Sequence, residues 1–222
     1  MIVKLAYTLM TKFLTEQDLN PELAKLISTG KQKITLISPV INLHERFISI
    51  MKKKLDNYRF KITLVFGRNE GDISKSMNVE NFDFFRQFRN IEIRHQRWLH
   101  TDYYANESSA ILTSMNLYDY SHDNNLETGI FLNRSLFRLG LDASPADDAW
   151  RYFETVVKQA KVVFRKTPKF KKTYFGLSKR YVDSTVDIDD LSHAYAKKQF
   201  NGNGQVQLND IHEKSSAGMR VG

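Results

Sequence analysis

Apolar residues recur along the chain with two different spacings, and each spacing predicts one kind of element. Steps of three and four residues indicate amphipathic helices, whereas short apolar runs bounded by turn residues indicate buried strands. In chain order these patterns first predict a helix capped at Asn20 and stopped at Gly30, a strand from Lys33 to Val40, a helix from Leu43 to Leu55 and a strand from Lys61 to Gly67. A helix follows whose triplet Phe82, Phe85 and Phe88 faces the core. The pattern then predicts a strand that begins at Ile91, a hairpin that includes Ala110–Leu112, and a helix that begins at Asp147-Asp148.

This order of elements predicts the fold class. A strand, a helix and a strand with short connections imply a right-handed crossover between parallel strands. The fold class is therefore α/β, with a mixed β-sheet and helices on both faces. Residues 1–181 are expected to form one domain that ends in a basic segment, residues 158–181. Residues 182–222 contain only two aromatic residues and are expected to be a flexible tail or linker.

The composition favours a polyanionic partner. The 222 residues carry a formal net charge of +8, which suits nucleic acid, DNA or RNA, better than an anionic membrane. No cysteine is present, which excludes disulfides and thiolate metal sites and fits a reducing compartment. The apolar run at Leu5–Met10 does not look like a signal peptide, and no run approaches the about 18 apolar residues of a membrane span. We therefore expect a cytoplasmic protein without stable membrane association.

The stretch from residue 99 to residue 133 concentrates the side chains that could carry chemistry. His100 opens it, an apolar strand then delivers Ser114 and Asn116, and Glu127 begins a second apolar strand. A carboxylate can hold one imidazole nitrogen so that the other faces a substrate. Hydroxyl and amide groups can hold phosphate oxygens as neutral donors. The pattern indicates either a reaction centre at the ends of two strands or a polar sheet edge with one satisfied histidine.

On these residues the stretch resembles the phospholipase D superfamily. The signature of that family is His-x-Lys, then Gly-Ser-x-Asn after a hairpin, then a downstream glutamate; His100, the segment Thr113–Asn116 and Glu127 match it in order. The resemblance covers roughly residues 31–164 and implies a phospholipase D-like mixed sheet. It implies that His100 is the nucleophile, that Glu127 orients it, and that Ser114 and Asn116 bind the substrate phosphate.

The same resemblance implies a mechanism and an assembly. Phospholipase D-like enzymes transfer a phosphodiester in two steps through a phosphohistidine, a second histidine protonates the leaving alkoxide, and no metal or cofactor is required. This chain carries one copy of the motif, and single-copy members place two histidines in one cleft by pairing two chains about a two-fold axis. We therefore expect a homodimer whose cleft is shared by two copies of His100, acting as a metal-independent nuclease.

Two positions depart from the signature, and the milder departure is Thr113 in place of the usual glycine. Where the family carries lysine, this chain has Asp102, which would repel a substrate phosphate instead of binding it. This puts catalysis in doubt, so the alternative is a catalytically impaired domain that binds DNA or RNA without cleaving it. A lipid-directed phosphodiesterase is a third possibility, although no interfacial helix stands out. His95 and Arg97 form another His-x-basic triplet, but the spacing from His95 to Ser114 is too long for the motif.

A basic segment follows the domain. From Lys158 to Arg180 the chain holds nine Lys or Arg residues, no acidic residue, and several aromatic rings. Cations can bind phosphates and rings can stack on bases, so this segment is predicted to contact nucleic acid, with a solvated basic face as the alternative. The predicted contacts are Arg165, Lys166, Lys169, Lys171 and Lys172, and the rings among them are Phe164, Phe170, Tyr174 and Phe175.

Overall fold

A mixed sheet of nine strands forms the described part of the computed structural model, which covers residues 11–67, 72–117, 126–133, 145–173 and 178–200. The strands are β1 (Thr11–Thr15), β2 (Lys33–Ile37), β3 (Lys61–Phe66), β4 (Ile91–His95), β5 (Asp102–Asn106), β6 (Ser109–Thr113), β7 (Thr128–Asn133), β8 (Lys161–Lys172) and β9 (Lys179–Asp189). The helices are α1 (Glu16–Thr29), α2 (Glu45–Lys52), α3 (Val79–Phe85), α4 (Pro145–Gln159) and α5 (Asp190–Phe200), with a short 3₁₀ turn at Ile73–Lys75.

The strand order explains why the motif residues meet at one edge. The strands lie in the order β1-β7-β6-β5-β2-β3-β4-β8-β9, in which β2, β3 and β4 are parallel and the other neighbours are antiparallel. Because β5 runs against β2, its first residues lie beside the carboxyl end of β2. The end of β6 and the start of β7 lie in the same row, since Asp102 is opposite Thr113 and Thr113 is opposite Gly129.

Helices cover both faces of the sheet, as the pattern of elements predicted. On one face the main core takes apolar side chains from α1, α2, α3 and α5, and it includes the predicted triplet Phe82, Phe85 and Phe88, each at most 1% exposed. On the other face α4 packs through Ala146, Trp150 and Phe153. The fold class is therefore α/β, with a mixed sheet between two helical layers.

The first helix begins earlier than its proline suggested. The prediction placed the cap at Asn20, but α1 begins at Glu16 because Thr15 and Asp18 form a capping arrangement. The Thr15 backbone N–H and hydroxyl both donate to the Asp18 carboxylate, at 3.3 and 3.2 Å. This cap satisfies polar groups at the start of a helix that begins before Asn20, so Asn20 lies inside the helix and does not cap it. Gly30 does end the helix, and its N–H donates to the Leu26 carbonyl at 3.3 Å.

Residues 182–200 differ from the flexible tail that was expected. They continue β9, which pairs with β8 in one long hairpin, and then form α5. Leu191 of α5 is fully buried, and Tyr195 stacks on Phe82 with 5.5 Å between ring centroids. The folded part therefore extends past the boundary expected at residue 181, while the rest of that tail lies outside the described residues. No described helix combines the length and apolar character needed to cross a bilayer.

Candidate functional site

The candidate site lies at the sheet edge where the parallel strands end. His100 precedes β5, and Asp102 is its first residue. Ser114 follows the last residue of β6, and Glu127 precedes the first residue of β7. Backbone pairing continues past the named strands, because the Ser114 N–H donates to the Thr128 carbonyl at 3.1 Å. The predicted residues therefore lie at one edge of the sheet, at the ends of the neighbouring strands β5, β6 and β7.

Ser114 and Glu127 are brought into direct contact. The Ser114 hydroxyl donates to the Glu127 carboxylate through a short hydrogen bond, and it accepts from the Thr128 N–H at 3.2 Å. Thr113 reinforces this corner, since its hydroxyl donates to the Thr128 carbonyl at 2.8 Å and accepts from the Met115 N–H at 3.0 Å. The hydroxyl of Ser114 is exposed, but its one proton is directed to Glu127, so binding a phosphate oxygen would require that proton to turn away from the carboxylate.

His100 stands apart from this pair. Its side chain is exposed, while its neighbour Leu99 is only 4% exposed and anchors the segment in the core under α4. Within the described part of the chain, no hydrogen bond or ion pair joins the imidazole of His100 to the carboxylate of Glu127. The structure thus places both residues at the same edge, but Glu127 contacts Ser114 and not His100. Asn116 is half-buried on the segment that follows Ser114.

Asp102 points into the protein and not towards solvent. Its residue is 8% exposed, and one carboxylate oxygen lies 2.5 Å from the Ser38 hydroxyl and 3.0 Å from the Tyr104 hydroxyl. Burial raises the pKa of Asp102 to about 6. The hydrogen bonds from Ser38 and Tyr104 lower the pKa, and the negative charge of Glu127 raises it further. Two carboxyl groups therefore act on each other at this edge.

A count of protons explains why a protonated Asp102 fits its surroundings. The Ser38 hydroxyl lies within bonding distance of both Asp102 and the Val40 carbonyl at 2.8 Å. The Tyr104 hydroxyl likewise has two possible acceptors, the Asp102 carboxyl group at 3.0 Å and the Met115 carbonyl at 3.1 Å. Each hydroxyl has a single proton, so two donors face three acceptors while Asp102 is ionised. A proton on Asp102 adds the third donor, and every acceptor then has a partner.

Sequence reasoning missed Ser38 and Tyr104. Ser38 directly follows β2, and the sequence pattern placed it only within the strand predicted from Lys33 to Val40. Tyr104 lies two residues after Asp102, so both side chains point to the same face of β5. That period of two was a usable signal, whereas the partnership with Ser38 required the tertiary fold. In the described residues, no group of three or more His, Asp or Glu side chains is arranged to hold a metal ion.

The basic segment leads away from this edge. Strand β8 runs antiparallel to β4, with Lys161 opposite His95 and Lys166 opposite Ile91. From Thr167 onward β8 has only β9 as a described partner, so the hairpin extends past the opposite edge of the sheet. At about 3.3 Å per residue, Lys172 lies roughly 35 Å along the strand from Lys161. The predicted nucleic-acid contacts and the motif residues are therefore at opposite ends of the sheet.

Three of the five predicted cationic contacts have partners within the protein. Arg165 donates to Glu92 at 2.8 Å, Lys166 donates to the Arg86 carbonyl at 3.1 Å, and Lys169 pairs with Asp187 at 3.4 Å. Lys171 and Lys172 are exposed and make no ion pair with a described residue. The free positive charge of the described segment is thus concentrated near the end of the hairpin.

The two described rings of the segment, Phe164 and Phe170, pack against other rings of the protein. Phe164 is 2% exposed and lies edge-to-face with Phe82 at 5.3 Å. Phe170 lies edge-on to Tyr58 and Tyr181, whose rings stack on each other with centroids 4.2 Å apart. These contacts fasten the hairpin to the domain, and because Phe170 is still 45% exposed, stacking of that ring on a base stays a prediction. Two further rings of the prediction, Tyr174 and Phe175, lie outside the described residues.

Solved structures share the fold of this chain. NucT from Helicobacter pylori matches 68% of this chain and 98% of its own with 10% identity and a TM-score of 0.50. Phosphatidylserine synthase from Haemophilus influenzae Rd KW20 matches 69% of this chain and 40% of its own with 14% identity and a TM-score of 0.55. Both neighbours are phospholipase D superfamily members. The fold is phospholipase D-like.

The likeness of this chain to known proteins is one of structure. Nuc from Salmonella typhimurium, described as a phospholipase D family member, matches 68% of this chain with 10% identity and a TM-score of 0.47. No family model matches the sequence, and no curated protein matches it. At 10–14% identity the comparison shows the fold alone, and the chemistry must be argued from the side chains.

Proposed function

We propose that this chain is a phospholipase D-like domain that binds nucleic acid and whose phosphodiesterase chemistry is impaired. One observation supports the proposal: Asp102, which the resemblance aligns with the lysine of the family signature, is buried and held inward by Ser38 and Tyr104. A phosphate at Ser114 would meet the Glu127 carboxylate, lie near the buried Asp102, and lack the cation that the family signature supplies. Repulsion between like charges 4 Å apart is about 1–4 kcal/mol, which disfavours a phosphate when Asp102 is ionised.

The nucleic-acid partner is supported by charge. The chain has a formal net charge of +8, and exposed lysines lie on the hairpin formed by β8 and β9. Contacts between such lysines and phosphates release condensed counterions, which gives affinity without base recognition. Binding of this kind does not require a working catalytic site, so it survives the loss of the motif lysine.

A second function is supported by a different observation. Ser114 and Glu127 are paired, and His100 is exposed at the same edge, which suits a metal-independent nuclease. In that case the His100 imidazole attacks phosphorus, a P–N bond forms as the P–O bond breaks, and the leaving alkoxide takes a proton from His100 of a second copy. Water then hydrolyses the phosphohistidine, and the proton returns to the second imidazole. This function needs the homodimer that the single motif implies.

Cleavage in the presence of EDTA distinguishes the two functions. Labelled DNA and RNA are incubated with the wild-type protein and with His100→Ala, and binding is measured in parallel over a salt series. If the domain is impaired, the wild type and His100→Ala are both expected to bind DNA and RNA with a salt-dependent affinity and to release no product. Cleavage by the wild type that disappears in His100→Ala would refute the impaired domain and support the nuclease. Sedimentation of the wild type checks the homodimer directly.

Asp102→Lys tests the observation itself. If the site lacks only its cation, this substitution is expected to produce hydrolysis where the wild type has none. Asp83→Lys is the matched control, because it makes the same change of charge at an exposed helical position remote from the motif residues. Hydrolysis by the control as well would assign the activity to a contaminant. A folded Asp102→Lys protein without hydrolysis would show that Asp102 is not the main defect.

A further inference from the structure

The link between β4 and β5 crosses the edge of the sheet that carries the motif residues. Residues 96–101 form this link, and β4 and β5 are separated in the sheet by β3 and β2. Because the parallel strands β2, β3 and β4 end at the edge where β5 begins, the link runs across the carboxyl ends of β3 and β2. At about 4.8 Å between neighbouring strands, it covers roughly 14 Å of that edge. The link, which includes His100, therefore lies on the same edge as Ser114 and Glu127.

The link is anchored on both sides of its middle. The Gln96 N–H donates to the carbonyl of the last residue of β3 at 2.9 Å. Gly67 allows this close approach, since a Cβ atom there would lie 2.6 Å from the Gln96 carbonyl oxygen. On the other side Leu99 is 4% exposed and packs into the core under α4. The two residues between these anchors are therefore held at a defined place on the edge.

Those two residues are an exposed arginine and an exposed tryptophan. Trp98 is 73% exposed, whereas Trp150, the other tryptophan of the chain, is 5% exposed. The guanidinium carbon of Arg97 lies over the indole of Trp98, 5.4 Å from the ring centroid. A single exposed apolar side chain is common on protein surfaces. A ring on an anchored backbone, with a cation on its face, has the composition of a site for stacking on nucleobases.

The position of this pair suits a ligand that carries both a ring and a phosphate. Two residues separate Trp98 from His100, so their Cα atoms are at most about 7 Å apart. One nucleotide can bridge such a separation. A guanidinium has five N–H donors, so an arginine that stacks on a ring can also bind a phosphate oxygen. Arg97 thus brings a cation to an edge where the aligned motif position holds Asp102.

We propose that Trp98 stacks on an unpaired base of single-stranded nucleic acid, and that Arg97 binds an adjacent phosphate. This inference rests on the proposed nucleic-acid binding and adds the substrate class. In a duplex the bases already stack on one another, so few are open to an indole ring. A bilayer also accepts indole rings, but here it would have to take up the charge of Arg97 with the ring or separate the two. Since every base has a π-face, the stacking is independent of sequence.

The test separates stacking from other apolar contacts. Trp98→Phe keeps an aromatic face, Trp98→Leu keeps only an apolar side chain, and Tyr152→Leu is the control because it removes another exposed ring, on α4. The probes are an oligothymidylate of about 12 nucleotides, an abasic strand of the same length, and a long DNA duplex. Fluorescence anisotropy measures the affinity for each probe. Because Trp150 is buried, quenching of tryptophan emission by an added strand reports on Trp98.

The expected results follow the aromatic ring. Oligothymidylate quenches the emission of the wild type and of Tyr152→Leu, and the long duplex does not. Trp98→Leu loses about tenfold in affinity for oligothymidylate, whereas Trp98→Phe loses less than about threefold. The abasic strand binds every protein with the same affinity, because it retains the phosphates and lacks the bases. Thermal unfolding of Trp98→Leu occurs at the wild-type temperature, since the ring that it removes is exposed.

Three outcomes would overturn the inference. Equal affinities of the wild type and Trp98→Leu for oligothymidylate would remove Trp98 from the interface, while the proposed nucleic-acid binding would stand. An equal loss by Trp98→Leu on the abasic strand would show that Trp98 acts by a contact other than stacking. If no strand or duplex is bound, and Trp98 emission shifts to the blue with phosphatidylserine vesicles, the ring contacts membranes. In that last case the proposed nucleic-acid function would fail as well.

Discussion

Asp102→Asn removes a buried ionisable group without changing its size. Burial and the charge of Glu127 raise the pKa of Asp102 from 3.8 to about 6, against the hydrogen bonds of Ser38 and Tyr104. Below pH 3.8 the carboxyl group is protonated in both the folded and the unfolded protein. As the pH rises from 3.8 to about 6, Asp102 releases its proton in the unfolded chain but keeps it in the folded protein. The free energy of unfolding therefore falls between pH 4 and pH 6, and the loss is complete above pH 6.

The magnitude follows from the two pKa values. A difference between 3.8 and about 6 corresponds to a loss of about 3 kcal/mol at neutral pH. Asparagine cannot ionise, and its amide adds the donor that the hydroxyls of Ser38 and Tyr104 need when they bond to carbonyls. Relative to the wild type, Asp102→Asn is therefore expected to gain about 2–3 kcal/mol in stability on going from pH 4 to pH 8.

Urea unfolding at pH 4, 6 and 8 measures this difference. Asp56→Asn is the control, because the side chain of Asp56 is 95% exposed. Its free energy of unfolding is expected to follow the wild type at every pH. The compared quantity is the free energy of unfolding of Asp102→Asn minus that of the wild type. If this difference is the same at all three pH values, or is smaller at pH 8 than at pH 4, the account of Asp102 as a disfavoured buried charge is wrong.

Three further predictions concern other parts of the sheet. Glu92→Gln is expected to destabilise the protein by about 2–3 kcal/mol in urea unfolding, since it leaves two adjacent guanidinium groups without a counter-charge under the hairpin. Gly67→Ala is expected to lose about 1–3 kcal/mol in thermal unfolding, because φ is +136° and a Cβ atom would lie 2.8 Å from the His95 ring. If one duplex contacts both the motif edge and the Lys171–Lys172 end of β8, affinity should rise with duplex length to beyond about 10 bp and then level off in anisotropy titrations. Lys172 lies roughly 35 Å along β8 from Lys161, and the motif strands lie farther across the sheet.

Much of the fold was predictable because its central strands are buried on both faces. Strands β2 and β3 are nearly continuous apolar runs, as parallel strands between two helical layers must be. Strand β9 carries no such signal, because its side chains are mostly exposed and its acidic and apolar residues do not form a buried face. Its position is determined by backbone pairing with β8 and by the stack of Tyr58 on Tyr181, neither of which has a local pattern.

The site was predictable in composition but not in orientation. The spacing from Ser114 to Glu127 placed both residues at one edge, and the structure joins them by a hydrogen bond. The direction of Asp102 depends on Ser38, which lies 64 residues earlier in the chain. The fate of Arg165 likewise depends on Glu92, on the strand that β8 adjoins. Such partnerships arise from the strand order, which no local spacing encodes.

The pairing of the first described strand with a much later one has a consequence for synthesis of the chain. Thr11 in β1 lies opposite Leu132 in β7, so β1 leaves the ribosome long before its partner strand is made. Until then the open side of β6 presents unpaired backbone groups to any neighbouring molecule. A nascent chain arrested before Thr128 would therefore be prone to aggregate, and the addition of β7 covers this open side of β6.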